Sequence, residues 1–539
     1  MLACTAALLV GTTATAPLSD LFVDATADCS IGTGSAALPF CTISEALMVA
    51  VDGDVIRIAS GTYPEELSVT HDVQLVPMGA SGIVAVDGES SRRNLTVEAG
   101  ATADVSGFVF RNGNGGEGNV VNRGALILRN SSIGSSDTSG CCSRSVILNE
   151  PGSQGLTLDH CNVTGNHING SSASLIRSYS AGGLTIRYSS ITNNYVYVGP
   201  TIRAGFGPVV IEGCYFQSSW PQADAVIVAR DADLILRNTT ITGTRTAALR
   251  VRGDVGYQLI ENSTLTNVGP LVATSILVAG TTVPRVRASA LGAGTPSDNS
   301  VSVSGAFHSL GYNVIARAGP TSSGFVDGVM GDQVGSISQP LDLMLEAATN
   351  NGGPTRSRMP LPGSPVIDGG HPTDFPSNDQ NGFPRVAGGS DAGASELPLG
   401  QMVVCPAAAN STGSIARMRI SGSDDVSRNA IELMVDRVPP GMTGLFLAAN
   451  AEGFVPFAGG SSGSLCLGGP IGRFVGPGQV QSSGSDGLLQ LRVDMTAIPQ
   501  GVGTVAAMAG QYWVFQSWFR DALSGAATSN FSTAKGILF

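Results

Sequence analysis

Charge is scarce in this sequence. Only 13% of its 539 residues are charged, and lysine is all but missing, Lys535 being the only one. Arginine supplies the remainder of the 29 basic residues, a bias that reflects genomic base composition rather than chemistry, and 41 acidic residues leave a net charge of −12. With no basic cluster, the chain lacks the phosphate-neutralising surface on which nucleic-acid binding depends. Nothing approaches the roughly 20 uninterrupted apolar residues of a membrane-spanning helix. Helix-favouring lysine and glutamate are few while glycine numbers 71, which argues against a mainly helical protein and for an all-β one.

What the chain does contain is a phrase repeated seven times: LILRNSSI from Leu126, LTLDHCNV from Leu156, LTIRYSSI from Leu184, VVIEGCYF from Val209, LILRNTTI from Leu234, QLIENSTL from Gln258 and, frayed, PRVRASAL from Pro284. The copies follow one another at roughly 24 to 30 residues, a repeat that precedes every other consideration. Large apolar residues fall on alternate positions within each phrase, and period two means strand. A small residue recurs in one column: Ser131, Cys161, Ser189, Cys214, Thr239, Ser263 and Ser289. Short strands, Gly and Asn at corners and no helix between strands fit a parallel β-helix, whose coils bury their apolar faces only against each other. At about 4.8 Å per coil, the run from Val55 to Ile315 makes about ten coils. The repeated Asn130, Asn238 and Asn262 read as corner amides stacked along the coil.

Two folded units are expected, because the rhythm changes near Pro398. Residues 1–16 read as a signal peptide with an apolar run from Leu2 to Val10, although no basic residue precedes Arg57. Residues 21–54 form an N-terminal cap, in which Thr42 to Val51 is a short amphipathic helix covering the open end of the coil. The solenoid occupies 55–349, with insertions at Asn112 to Gly124 and Ser135 to Arg144. Residues 401–539 alternate in short runs separated by Gly, Pro and Ser, the pattern of a β-sandwich. Removing the signal peptide takes Cys4 with it and leaves an even number of cysteines, compatible with an oxidising compartment. Cys29 with Cys41 and Cys405 with Cys466 are disulfide candidates, Cys161 and Cys214 read as buried apolar fillers, and Cys141 and Cys142 stay unassigned.

The sequence CTISEAL, GD and GTYPEE between Cys41 and Glu66 resembles the start of secreted bacterial right-handed parallel β-helix proteins of the pectin-lyase-like superfamily. The resemblance implies a capping helix, a turn at Asp52 to Asp54 and another at Gly61 to Tyr63. Residues 350–398 are similar to a choice-of-anchor segment of bacterial surface β-helix proteins, with GGPT at Gly352 to Thr355, LPGSPVID at Leu361 to Asp368, DQNGFPR at Asp379 to Arg385 and DAGASE at Asp391 to Glu396. That likeness implies a β-helix at the cell exterior whose end this segment closes. The terminal WVFQSWFRD and NFS blocks look like a C-terminal module of extracellular proteins of environmental bacteria.

Polysaccharide lyases and hydrolases occur in that superfamily, so the resemblance implies that some of these residues could be catalytic. Asp159-His160-Cys161 resembles the Asp-His-Cys of pectate lyases, yet Cys161 also sits in the small-residue column, which explains the string as one more copy of the phrase. His160, His167, Arg187 and Arg203, with Asp159, form the candidate catalytic set. Trp513 and Trp518 are candidates for stacking on sugar rings, or sandwich core. Asp368, Asp379, Asp391 and Glu396 are candidate calcium ligands, or else cap turns and pair with Arg385 and Arg358. The expectation is a monomeric, secreted or surface-held β-helix with a structural, adhesive or glycan-binding role and no cofactor beyond calcium. The alternative is a polysaccharide lyase or hydrolase working beside the insertions.

Overall fold

The computed structural model describes residues 20–79, 82–116, 118–139, 145–170, 173–218, 225–243, 247–266, 274–292, 300–523 and 525–539. The signal-peptide segment 1–16 with Cys4, and the Cys141 and Cys142 pair, lie outside the described residues. The first part is a parallel β-solenoid with three ladders of strands. The first face is a twelve-stranded parallel sheet from Asp20–Val23 to His308–Ser309. It carries the opening of each phrase, for example Ala125–Arg129, Gly155–Asp159 and Leu184–Arg187 in register. The second face carries the end of each phrase, for example Ser132–Gly134, Asn162–Thr164 and Ser190–Val196. The third runs through Ser145–Asn149, Ser174–Ser178 and Ile202–Gly205.

Between the first and second faces the chain turns through one left-handed residue per coil. Asn130, His160, Tyr188, Gly213, Asn238, Asn262 and Ala288 occupy this corner with φ between 43° and 65°. The corner asparagines are therefore selected by backbone conformation, which Asn tolerates, and not by amide stacking. Asn238 reaches out to the carbonyl of Asn378 (2.7 Å), and the buried Asn262 amide has no hydrogen-bond partner among the described residues. True amide ladders lie elsewhere in the coil, where Asn122 Nδ2 donates to Asn149 Oδ1 (2.8 Å) and Asn166 Nδ2 to Asn194 Oδ1 (2.9 Å).

The small-residue column follows this corner and is polar for a reason. The backbone N–H of Cys161 donates to Ser189 Oγ (2.9 Å), that of Cys214 to Thr239 Oγ1 (3.3 Å) and that of Ser263 to Ser289 Oγ (3.3 Å). Each hydroxyl in turn donates to the carbonyl two residues before it, as Ser189 does to Arg187 (2.7 Å). The left-handed corner takes one N–H per coil out of the sheet ladder, and the side chain of the next coil satisfies it. Cys161 and Cys214 are buried and free, but they too donate, through Sγ, to the carbonyls of Leu128 (3.3 Å) and Ile186 (3.4 Å). Burial pushes their thiols up to about 11 and about 12, which keeps them protonated and unreactive. Apolar filling was thus an incomplete reading of the two cysteines. Ser189→Ala should cost about 1–3 kcal/mol in denaturant unfolding, because it strands a buried N–H, while Cys161→Ser should cost less than about 1 kcal/mol. The reverse order would show that size alone matters.

Thr42 caps the helix Ile43–Val49 in a capping box with Glu45, and Ile43, Ala46 and Leu47 enter the solenoid core. Glu65 accepts from the backbone N–H groups of Ile43 (2.9 Å) and Ser44 (2.8 Å), tying the cap to the first coil. Cys29 is bonded to Cys41, and Cys405 to Cys466.

Residues 341–396 do not simply close the end of the solenoid. They run back along its second face. Thr355 Oγ1 donates to the Gly213 carbonyl (2.8 Å), Gln380 Nε2 to that of Cys214 (2.9 Å), and Leu343, Val366 and Ala392 pack on Ala290 and Val314. The C-terminal part is a β-sandwich. A sheet containing Thr443–Ala449 and Tyr512–Leu523 faces one formed by Arg417–Gly422, Ile431–Asp436 and Leu489–Val493, with Phe446, Phe515, Ile420 and Leu433 in a shared core. Ser423 Oγ donates to Asp368 Oδ2 (2.7 Å), and Arg419 lies 4.7 Å above the Phe383 ring, which joins the sandwich to the segment before it.

Candidate functional site

The predicted catalytic set is not gathered in one place. Asp159 and Arg187 belong to a column of alternating charge on the outside of the first face: Arg129, Asp159, Arg187, Glu212, Arg237, Glu261 and Arg287 in register. Neighbouring coils thus set opposite charges side by side, with Arg187 3.6 Å from Glu212 and Arg237 2.5 Å from Glu261. The Asp-His-Cys string is three structural columns read in sequence: the charge ladder, the left-handed corner and the hydrogen-bonded small residue. His167 lies on a short strand, His167–Asn169, beyond the second face, whose two end residues are exposed while Ile168 enters the core. Arg203 lies on the third face, in register with Arg177 and Val228.

His160 nonetheless borders a groove. Its Nδ1 is 2.8 Å from Asp159 Oδ1, and its ring lies 5.1 Å from that of Tyr188 in the next coil. The groove, about 470 Å³, begins at these two rings and ends at Pro354 and Arg356, where the returning segment crosses the second face. Asn162, Ser190, Thr192 and Gln217 form its floor. These are outward positions of the second face, alternating with the buried Val163 and Ile191. Arg356 is exposed and has no ion pair to a described carboxylate. Tyr188 stands over Gly213, where an added Cβ would come within 2.5 Å of its ring. The corner therefore carries bulky rings in two successive coils and leaves room for the second of them. Tyr188 and Arg356 were missed in the sequence, although the corner column, reading Asn, His, Tyr, Gly, Asn, Asn, Ala, already shows two residues out of character.

A larger cavity of about 710 Å³ lies between the returning segment and the sandwich. Its lining is mostly backbone and aliphatic, and the hydroxyl of its one ring, Tyr512, is bound to Glu452 (2.6 Å). The smaller groove, with stacked rings, a polar floor and a cation, is the better equipped of the two.

Trp513 is fully buried and stacks on Phe515 at 6.5 Å, so it faces sandwich core rather than a ligand; Trp518 is half-buried against the disulfide-side cluster. Three of the four acidic candidates, Asp379, Asp391 and Glu396, surround Arg385 rather than an open site, while Asp368 accepts from Ser423 and lies 3.7 Å from Arg428. Glu396 Oε1 accepts from Arg385 (2.5 Å) and from the Asp391 N–H (2.8 Å). Asp379 accepts from the N–H groups of Asn381, Phe383 and Glu396, and Asp391 from those of Asp368 and Leu397. Arg358 instead donates to the carbonyls of Glu346 and Leu345. Among the described residues no group of three or more His, Cys, Asp or Glu side chains is placed to hold a metal ion. Burial raises the pKa of Asp379, lifts Asp391 to about 7 and raises Glu396 well above the usual carboxylate range.

No family model matches the chain, and no curated protein matches it. Among solved structures it is similar to XylC in complex with xylose, at 10% identity over 62% of this chain and 88% of that one, with a TM-score of 0.34. A rhamnogalacturonan lyase shares 14% identity over 62% of this chain and 92% of its own, with a TM-score of 0.32. The tailspike protein gp49 of Acinetobacter baumannii bacteriophage Fri1, a capsular polysaccharide depolymerase, shares 9% identity over 95% of this chain and 86% of its own, with a TM-score of 0.28.

Proposed function

We propose that this chain is an extracellular or cell-surface β-solenoid that binds an extended polysaccharide in the groove between His160 and Arg356, in an adhesive or glycan-binding role. The observation that carries the reading is the His160 and Tyr188 pair. Two aromatic rings occupy left-handed corner positions where other coils place Asn, Gly or Ala, and backbone strain at such positions, about 1–3 kcal/mol, accompanies function more often than chance. Flat apolar ring faces beside a floor of amides and hydroxyls suit a sugar, which presents C–H faces and equatorial hydroxyls together. Arg356 adds one cation for a carboxylate on the bound chain. The two disulfides suit an oxidising exterior.

The test is retention of the purified protein on acidic and neutral polysaccharides, with and without calcium, while new reducing ends are titrated chemically and unsaturated products are followed by ultraviolet absorbance. Retention without turnover is expected, with acidic polymers favoured and Arg356→Gln removing about tenfold of that preference. Product formation that disappears in His160→Ala would instead favour a lyase or hydrolase. Absence of both signals would leave a structural or cell-contact role.

A further inference from the structure

Seven residues beyond His160 and Tyr188 the same two residue types recur as His167 and Tyr195. They are in register on neighbouring coils, their rings 4.6 Å apart and inclined by only 27°. Tyr197, exposed to 42%, extends this ridge, its ring 6.3 Å from that of Tyr195. Each histidine is oriented by a carboxylate at Nδ1: Asp159 at 2.8 Å for His160, and Asp137 of the preceding coil at 3.3 Å for His167. Between the two ridges the outward residues of the second face are Asn162, Thr164, Ser190 and Thr192, each with an amide or hydroxyl.

We infer that the two ridges are the ends of one binding surface, on which a single polysaccharide segment lies along the strands, across the rod. One sugar ring stacks on each ridge, and the rings between them hydrogen-bond to the floor. This deepens the glycan-binding reading, on which it rests, by fixing the direction of the bound chain and its minimum length. An axial path is closed on one side, because the returning segment crosses the second face where Thr355 Oγ1 meets the Gly213 carbonyl. The corners before and after the first ridge, Asn130 and Gly213, carry no ring. Seven residues of extended chain reach about 23 Å, and the left-handed turn at Gly165 shortens this, so the surface spans roughly four sugar rings.

The experiment uses the full chain and oligosaccharides from dimer to octamer, prepared by partial hydrolysis of whichever panel polysaccharide is retained most strongly. Affinity is expected to climb steeply up to about the tetramer or pentamer and then level off. Tyr188→Ala and Tyr195→Ala should each weaken octamer binding about tenfold and flatten that climb, whereas dimer binding should respond to only one of them. His167→Ala, at an exposed side chain, repeats the second arm without disturbing the half-buried Tyr195. Affinity independent of length, or octamer binding indifferent to both His167→Ala and Tyr195→Ala while Tyr188→Ala weakens it, would overturn the two-ridge inference and leave the groove intact. Failure of every polysaccharide to be retained would remove the glycan-binding reading itself.

Discussion

Arg385→Ala is expected to lower the free energy of unfolding by about 3–5 kcal/mol, the cost of removing one partner from a buried ion pair. The guanidinium is inaccessible to solvent. It donates to Glu396, to the carbonyls of Asp391 (2.9 Å) and Gly393 (2.8 Å), and to Asn238 Oδ1 on the solenoid corner (3.1 Å). Its removal leaves the buried Glu396 carboxyl, where it is ionised, without a counter-charge beside Asp379 and Asp391, and it takes the donor from two buried carbonyls. The loss should be local at first, since residues 341–396 are fastened to the second face largely by such polar contacts. Limited proteolysis within that segment should therefore precede the global transition seen by circular dichroism. Adding Glu396→Gln to Arg385→Ala should recover part of the loss, because it withdraws the unpaired charge. A double variant as unstable as the sum of the two singles would show that charge is not what Arg385 neutralises.

One guanidinium cannot compensate three buried carboxylates, and this gives the segment a pH dependence of definite sign. Asp379, Asp391 and Glu396 hold their protons more tightly folded than unfolded, chiefly through burial. A group raised in this way contributes stability that is complete below its unfolded pKa, near pH 4 for an aspartate, and is lost as pH rises through its folded value. For Asp391 that value is about 7, so proteolysis of residues 341–396 should be faster at pH 8 than at pH 5. An opposite trend would mean that the cluster is ionised throughout this range.

The solenoid was legible because its information is periodic: alternation names strands, and a phrase returning every two dozen or so residues names coils. The charge ladder and the left-handed corner were equally present in the aligned phrases, but their meaning depends on register, since only stacked strands place Arg187 between Asp159 and Glu212. Arg356 could not have been found this way. It reaches the groove from a segment with no period of its own, which returns to the solenoid after more than a hundred residues, as the bond from Thr355 to Gly213 shows. The tryptophans stayed open between sugar stacking and sandwich core for a related reason. Alternation places Trp513 and Phe515 on one side of a strand, but which side is core is decided by the second sheet of the sandwich.

Tyr188→Asn should separate stability from function. Asparagine already occupies this corner at positions 130, 238 and 262. Tyrosine holds φ at 48°, a conformation that costs a side chain of its bulk about 1–2 kcal/mol and that asparagine adopts more readily. Tyr188 is 36% exposed, so the strain relieved at this corner is set against the partial burial that the ring gives up beside His160 and Gly213. The variant should therefore unfold at equal or higher denaturant concentration, with a gain of up to about 1 kcal/mol. Polysaccharide binding should meanwhile fall about tenfold to thirtyfold, the loss of one aromatic anchor at roughly 1.4–2 kcal/mol. The two effects oppose each other, and a purely structural tyrosine cannot produce them together. If its ring were there to pack on His160 and Gly213, Tyr188→Asn would destabilise the coil. If the corner were indifferent to its side chain, neither quantity would change. His160→Asn should behave alike with a smaller gain, because histidine tolerates the left-handed region better than tyrosine. A stabilised protein that no longer holds its polysaccharide would show that these coils keep strained rings at the surface for the ligand they meet.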